Sequence, residues 1–212
     1  MKRLLITSGP TREYLDPVRF LSNASSGKMG CALAKAAIDR GWQVVLVSGP
    51  VTVEYPPEAE VHHIVTTTEM LEQALRLFPS CDAVIGAAAP CDFMRKDVPE
   101  EKISKTDFPG YVEFTKTPDI LAALGDIKRP DQIIVAFALE THDAQQRARL
   151  KLERKNADYI VLNGPDAIDS DNIEVEIYSR SEAYFADING PKEEVAGFIL
   201  ENVFCDSCSQ LC

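Results

Sequence analysis

Between two short apolar runs, Arg3–Ile6 and Val44–Val47, lies LSNASSGKMGCALA, Leu21–Ala34, and this stretch restricts the fold more than any other. Asn23, Ser25, Ser26 and Lys28 crowd around Gly27 and Gly30, and Met29, Leu33, Ala36 and Ala37 follow at helical spacing with no breaker before Gly41. The pattern predicts a strand, a loop that opens a helix, and a second strand. At such a helix start the backbone N–H groups lack intrahelical partners and the dipole favours an anion. Ser25 or Ser26 is the expected N-cap, and Gly41 suits the position just past the helix. Ser25, Ser26, Gly27 and Lys28 are therefore candidates for holding a phosphate or a phosphorylated intermediate. A second reading stays open: Gly27 and Gly30 only let the helix pack closely on the sheet.

The remainder repeats this unit. Strands are expected at Arg3–Thr7, Gln43–Ser48, Val61–Val65, Ala83–Ala88, Gln132–Phe137 and Tyr159–Leu162. Helices are expected at Thr67–Phe78, from Thr117-Pro118-Asp119 with Pro118 near its first turn, and at Asp143–Asn156. Ala83–Ala88 is wholly apolar, as a central parallel strand should be. Thr11–Phe20 is long for a strand–helix connection, where about 2–6 residues are usual. Pro90–Lys105 breaks the rhythm, and Tyr111–Thr115 reads as a strand of a small flap. Near the C-terminus Glu174–Tyr178 and Glu182–Ile188 alternate as an antiparallel pair across Ser179-Arg180-Ser181. Gly164–Asn172 is a loop and Pro191–Val203 a closing helix. The expected class is α/β, a doubly wound, mostly parallel sheet with an antiparallel C-terminal edge. Residues 1–204 form one expected domain, and 205–212, with Cys205, Cys208 and Cys212, an expected disordered tail.

The formal net charge of −11 over 212 residues argues against general nucleic-acid binding, which rests on basic side chains meeting phosphates. The N-terminus, MKRLLITSGP, is too short in apolar residues for a signal peptide, and no run approaches a membrane span. The expected location is the cytoplasm. Cys31, Cys81 and Cys91 read as small core residues. His62, His63 and His142 share no ligand spacing with carboxylates or cysteines, and neither a P-loop, an H-E-x-x-H nor a G-x-S-x-G run occurs.

Four constellations carry candidate chemistry. A nicotinamide reading of Gly9, Gly27 and Gly30 fits poorly, because the glycines are not in one tight turn and the second strand ends in Ser48 instead of an acid. GAAAPCDF, Gly86–Phe93, ends the central strand with small residues that leave room for a base or ribose, and Asp92 either faces that crevice or caps a turn. Glu100–Lys105 is a charged flap whose lysines can close over a phosphoryl group or simply be solvated. Arg147, Lys151 and Lys155, four residues apart, share a helix face, a basic stripe in an acidic chain that suits a triphosphate or a salt bridge to Glu153. Arg12 and Arg19 in the long first loop are further candidates for a phosphate.

Taken together, TSGPTREYLDPVRFLSNASSGKMG, LVSGPV, GAAAPCDF, EKISK, TKTPDIL, AFALET and RKNADYIVLN resemble the phosphopantothenoylcysteine synthetases of the bacterial, CTP-using type, the synthetase half of a bifunctional coenzyme A biosynthesis flavoprotein. The resemblance runs from about Lys2 to Phe204. It implies a Rossmann-like fold, a homodimer, and a ligase joining 4′-phosphopantothenate to L-cysteine through an acyl-cytidylate formed from CTP, with Mg2+ assisting. In that resemblance Asn23 holds the intermediate, its amide NH2 being a suitable donor, and Lys102 is the catalytic flap lysine. Gly86, Ala87, Ala88 and Asp92 receive the cytidine. Thr115, Lys116, Thr117 and Pro118 form a further nucleotide-contacting run, Phe137 stands beside the nucleotide, and Lys151 and Lys155 are its paired lysines. No metal-ligand set is implied. The flap has Lys102-Ile103-Ser104-Lys105 where the family commonly has Lys-x-Lys-Lys, so one charge is missing. Ala89-Pro90-Cys91-Asp92-Phe93 replaces an Ala-Val-Ala-Asp-Tyr-type run, which bears on the choice between CTP and ATP. No flavin-dependent half precedes Met1, so neither flavin nor decarboxylation is expected here, and a separate decarboxylase would act on the product.

Overall fold

The computed structural model describes residues 1–139, 144–164, 166, 170–180 and 186–204. His142, the first residue of the Asp143–Asn156 helix, the first part of the Glu182–Ile188 strand, four residues of the Gly164–Asn172 loop and the Cys205–Cys212 tail lie outside them.

Among the described residues six strands run parallel in one sheet: β1 (Arg3–Ser8), β4 (Gln43–Ser48), β5 (Glu60–His63), β6 (Ala83–Gly86), β9 (Ile133–Leu139) and β10 (Tyr159–Asn163). Two more, β11 (Asn172–Ser179) and β12 (Ala186–Pro191), join antiparallel at one edge. The order is β12-β11-β10-β9-β6-β1-β4-β5. Numbered along the chain, the six parallel strands lie 3-2-1-4-5-6, the doubly wound Rossmann arrangement. The sequence expectation of that class holds, with strand bounds shifted by a few residues.

Period-two alternation divides the sheet's side chains between two faces. Leu4, Ile6, Val44 and Leu46 pack with α1 (Lys28–Asp39) and α5 (Lys192–Val203). Leu5, Val45, Val47 and Val84 pack on the other face with α2 (Thr67–Leu77), α3 (Ile120–Asp126) and α4 (Ala144–Arg154). Helices thus cover both faces, which is why the central strands read as continuous apolar runs. Among the described residues no helix is long and apolar enough to cross a membrane.

Three local expectations are corrected. Helix α1 is capped by Gly27, at φ 78°, with no side-chain hydrogen bond from Ser25 or Ser26. The chain enters the helix through a left-handed turn that glycine adopts without strain, so no serine stands at the capping position. Helix α3 begins after Asp119, whose Oδ1 accepts from the Ala122 N–H at 3.2 Å, leaving Pro118 outside the helix. The long first loop holds a hairpin, β2 (Arg12–Tyr14) with β3 (Phe20–Ser22), and a second hairpin pairs β7 (Phe93–Arg95) with β8 (Phe114–Lys116). Strands of three residues are too short to declare a period. The flap strand sits at Phe114–Lys116, three residues later than the start of the expected Tyr111–Thr115.

The start of α1 lies hard against the end of β1. A Cβ built on Gly30 would stand 2.0 Å from Ser8 Oγ and 2.5 Å from Ser8 Cβ. Ser8 Oγ donates to the Gly27 carbonyl (3.4 Å) and accepts from Tyr55 Oη (2.9 Å), and Tyr55 Oη meets Ser48 Oγ at 2.7 Å. We expect Gly30→Ala to cost about 1–3 kcal/mol by overpacking, read as a lower urea midpoint with an unchanged m-value. Unaltered stability would mean that α1 has room to move from β1.

Candidate active site

A cleft of about 850 Å³ opens at the carboxyl ends of β1, β6 and β9, where the strand order reverses beside β1. Doubly wound sheets bind their ligands at that point. The backbone of the central strand continues past its last paired residue. Ala87 N–H donates to Thr7 O (3.1 Å) and Ala89 N–H to Gly9 O (2.9 Å), and an isolated bridge joins Pro10 to Ala89. Gly86, Ala87 and Ala88 therefore form a floor with almost no side chain, and Phe137, half-buried on β9, stands in the wall beside it. Asp92, exposed, lies on the same wall.

Opposite lies the Asn23–Lys28 segment that enters α1. Asn23 Nδ2 donates to the carbonyl oxygens of Pro90 (2.9 Å) and Ala89 (3.3 Å). The amide donors expected to serve a ligand are thus engaged with the main chain at the end of the central strand, and Oδ1 is the atom Asn23 presents for acceptance. Ser25, Ser26, Gly27 and Lys28 all line the cleft. Lys28 Nζ reaches Asp171 Oδ1 at 2.6 Å, and Lys28 holds the exposed Asp171 carboxyl below its ordinary range through that hydrogen bond.

The third side carries the basic stripe. Lys151 and Lys155 line the cleft, whereas Arg147, exposed on the same helix, does not. The partner of Lys155 is not Glu153. Lys155 Nζ bonds Asp119 Oδ1 at 2.5 Å, and Arg154 Nη2 bonds Asp119 Oδ2 at 3.0 Å. Burial would raise the Asp119 carboxyl, but three donors, Lys155, Arg154 and the Ala122 N–H, bring it below its ordinary value. Burial pushes the Lys155 ammonium down against the opposing pull of Asp119. The carboxylate, with three donors, anchors the ionised pair. Asp119 and Arg154 stand outside the candidates the sequence offers; the Thr-Pro-Asp helix start is the one signal that points toward Asp119. Lys192, buried at the first turn of α5, also lines the cleft. Nothing in the sequence separates it from a surface helix lysine.

The second hairpin closes the remaining side. Thr117 N–H donates to Asp92 O (3.1 Å) and Thr117 Oγ1 to Cys91 O (2.5 Å), which joins the Lys116–Pro118 run to the end of the central strand. Lys116, Thr117 and Pro118 line the cleft; Thr115, one residue back on β8, does not, as the pleat requires. Lys102, exposed on the loop joining β7 to β8, also stands outside the lining. The two first-loop arginines are otherwise employed: Arg12 lies over the Phe20 ring at 4.5 Å, and Arg19 pairs with Asp16. At the end of β4, where a dinucleotide site would need an acid, Ser48 Oγ donates to Gly49 O at 2.8 Å. Burial raises the thiols of Cys31, Cys81 and Cys91, consistent with core residues.

The model of the DNA/pantothenate metabolism flavoprotein C-terminal domain matches residues 1–205. The chain belongs to this family. It is similar to the coenzyme A biosynthesis bifunctional protein CoaBC of Bacillus subtilis, 46% identical over 163 residues, covering 76% of the chain and 40% of that protein. The Escherichia coli protein of the same name is 42% identical over 163 residues, again covering 76% and 40%. The chain thus spans about two fifths of the length of these curated relatives. A crystal structure of the C-terminal domain of a CoaBC protein aligns at TM-score 0.80 with 38% identity, covering 95% of this chain and 93% of that one. The fold and its antiparallel edge are therefore those of the family.

The depressed Asp119 carboxyl gives a signed pH effect. Its stabilising contribution is present above the ordinary aspartate value of 3.8 and is lost as the pH falls below it. Asp119→Asn keeps an N-cap oxygen and loses the charge. We expect it to lower stability by about 1 kcal/mol at pH 7, with the difference from wild type closing below pH 4 in urea titrations. A difference independent of pH would assign Asp119 to capping alone.

Proposed function

We propose that the chain is a phosphopantothenate–cysteine ligase, the phosphopantothenoylcysteine synthetase of coenzyme A biosynthesis, with CTP as its activating nucleotide. The observation that carries this reading is the charge of the cleft. Among the described residues Lys28, Lys116, Lys151, Arg154, Lys155 and Lys192 line it against Asp92 and Asp119, in a chain of net charge −11. So strong a local inversion suits a polyanion, and the small-residue floor beside Phe137 suits a flat base. Family membership and the names of the curated relatives support the substrates.

In the proposed reaction the phosphopantothenate carboxylate attacks the α-phosphorus of CTP. The bond to the β-phosphate breaks and pyrophosphate leaves. The cysteine amine then attacks the acyl carbon, the acyl–oxygen bond breaks, and CMP leaves as the amide forms and the nitrogen loses its proton. Both steps build negative charge on phosphate oxygens, which the α1 start and the lysines around the cleft stabilise. Lys102 is assigned to the first step, brought in by closure of its loop. Asn23, fixed by Ala89 and Pro90, is assigned to holding the acyl-cytidylate.

Among the described residues no group of three His, Cys, Asp or Glu side chains could hold a metal ion. That fits Mg2+ carried mainly on the triphosphate, as this ion usually is, with Asp92 the available carboxylate. Acyl transfer of this kind needs no flavin. Decarboxylation of the product is assigned to a phosphopantothenoylcysteine decarboxylase activity, and the setting to the cytoplasm. Residues 1–204 are read as one synthetase unit. A homodimer is part of the proposal. Tyr14, Phe20 and Leu21 on the first hairpin and Phe93 and Phe114 on the second are exposed, and β2 lies against β7. Such a set of exposed apolar side chains suits a second copy.

The test is a mass-resolved assay with phosphopantothenate, L-cysteine, Mg2+ and either CTP or ATP. We expect pyrophosphate, CMP and phosphopantothenoylcysteine with CTP; pyrophosphate with neither nucleotide would overturn the reading. Lys102→Gln should abolish pyrophosphate release while leaving the thermal midpoint nearly unchanged. Asn23→Asp sets a carboxylate against two carbonyl oxygens, so acyl-cytidylate should form and accumulate; full turnover would remove the role given to Asn23.

A further inference from the structure

Asp16 is a fully buried carboxylate in the loop between β2 and β3. Its Oδ1 accepts from the N–H groups of Val18 and Arg19, both at 2.9 Å, and its Oδ2 from Arg19 Nε at 2.9 Å and from Arg19 Nη2. Hydrogen bonding to the Arg19 side chain, above all, holds its carboxyl far below the ordinary range, so it stays ionised throughout the neutral and mildly acid region. So elaborate a structure exceeds what the five-residue turn between β2 and β3 needs.

The surplus goes to the flap. Ile103 N–H donates to Asp16 Oδ2 at 3.3 Å, and Ile103 O accepts from Arg19 Nη2 at 2.7 Å. Both backbone groups of one flap residue are held by one ion pair, buried at Asp16 and exposed at Arg19, 87 and 84 positions away in the chain. The same hairpin carries a second tie, from Arg95 Nη1 to Leu15 O at 2.6 Å, at the base of the flap. Lys102 is the residue immediately before Ile103. Its side chain is exposed, yet its main chain is fixed at the next peptide.

We propose that Asp16 is a positioning residue: with Arg19 it forms a two-point clamp on Ile103 that sets where Lys102 starts from and how far it can travel toward the cleft. The clamp makes Ile103 the pivot of the flap, so that closure swings Lys102 about a fixed peptide instead of recruiting it from an unrestrained loop. The catalytic consequence rests on the ligase reading; the clamp itself does not. Misplacing a reacting group by about 1 Å can cost on the order of 100-fold in rate.

Amide hydrogen exchange on the unliganded protein tests the clamp without any variant or substrate. The Ile103 N–H is expected to exchange at least about tenfold more slowly than a free peptide. Exchange at the unprotected rate would overturn the proposal. In Asp16→Asn, which keeps an oxygen for Val18 and Arg19 N–H, that protection should vanish while the amides of β1 and β6 stay protected; survival of Ile103 protection would also overturn it. In the pyrophosphate assay the same variant should lose about 10- to 100-fold in kcat with KM for CTP within about threefold. An unchanged kcat would leave Asp16 no positioning role. If the wild-type protein releases no pyrophosphate, the ligase reading fails, and the exchange result still decides the clamp.

Discussion

The contact on which this molecule depends is the one between Ser8, at the end of the first strand, and the glycines that open the first helix. There is no space between Ser8 and Gly30 for even a methyl group. Gly27 turns the chain through a left-handed conformation directly above, and Tyr55 and Ser48 complete the hydroxyl chain below. Because the helix starts against the strand end, its unpaired N–H groups are delivered to the edge of the cleft, not to bulk solvent. The same close approach leaves Asn23 within reach of the neighbouring strand, where Ala89 and Pro90 fix it. One steric constraint thus places the loop, the helix dipole and the amide together.

Charge is distributed on the same plan. The sheet supplies an apolar floor that needs no polar atoms beyond its own backbone, while the cationic groups arrive from surrounding segments: α1, β8, the end of α4 and the start of α5. Each brings its own restraint. Asp119 caps one helix and holds Lys155 and Arg154 from another, and Asp171 meets Lys28. The carboxylates beside Lys28, Arg154 and Lys155 limit repulsion among the cations. In the proposed ligase an incoming polyanion takes the place of these carboxylates as the cations' partner.

The parallel sheet was legible because strands buried on both faces spell continuous apolar runs, as in Ala83–Gly86 and Val44–Val47. The cleft was legible for a related reason: glycines, small polar residues and lysines stand where the strands end. What the sequence concealed depends on single atoms or very short pairings. Ser25 and Ser26 have the chemistry of an N-cap, but the left-handed Gly27 occupies that position. The two hairpins are three residues per strand and carry no period. Thr115 and Lys116 are neighbours in the sequence and face opposite sides of a strand, so a contiguous run could not show which one meets the cleft. Arg19 has the chemistry of a phosphate ligand, yet its guanidinium is occupied by Asp16 and Ile103. Asp119 looks like a helix start, and its second task becomes visible only when α4 folds beside it.

In the proposed ligase a nucleoside triphosphate lies across the strand ends between α1 and α4, its base on the Gly86–Ala88 floor beside Phe137 and its phosphates among the lysines. The most direct measurement is a crystal structure with a non-hydrolysable CTP analogue and Mg2+. This placement requires density for the whole nucleotide in the cleft, with phosphate oxygens within hydrogen-bonding distance of Lys151 or Lys155. Nucleotide bound elsewhere, or in the cleft with its phosphates turned away from both lysines, would contradict it.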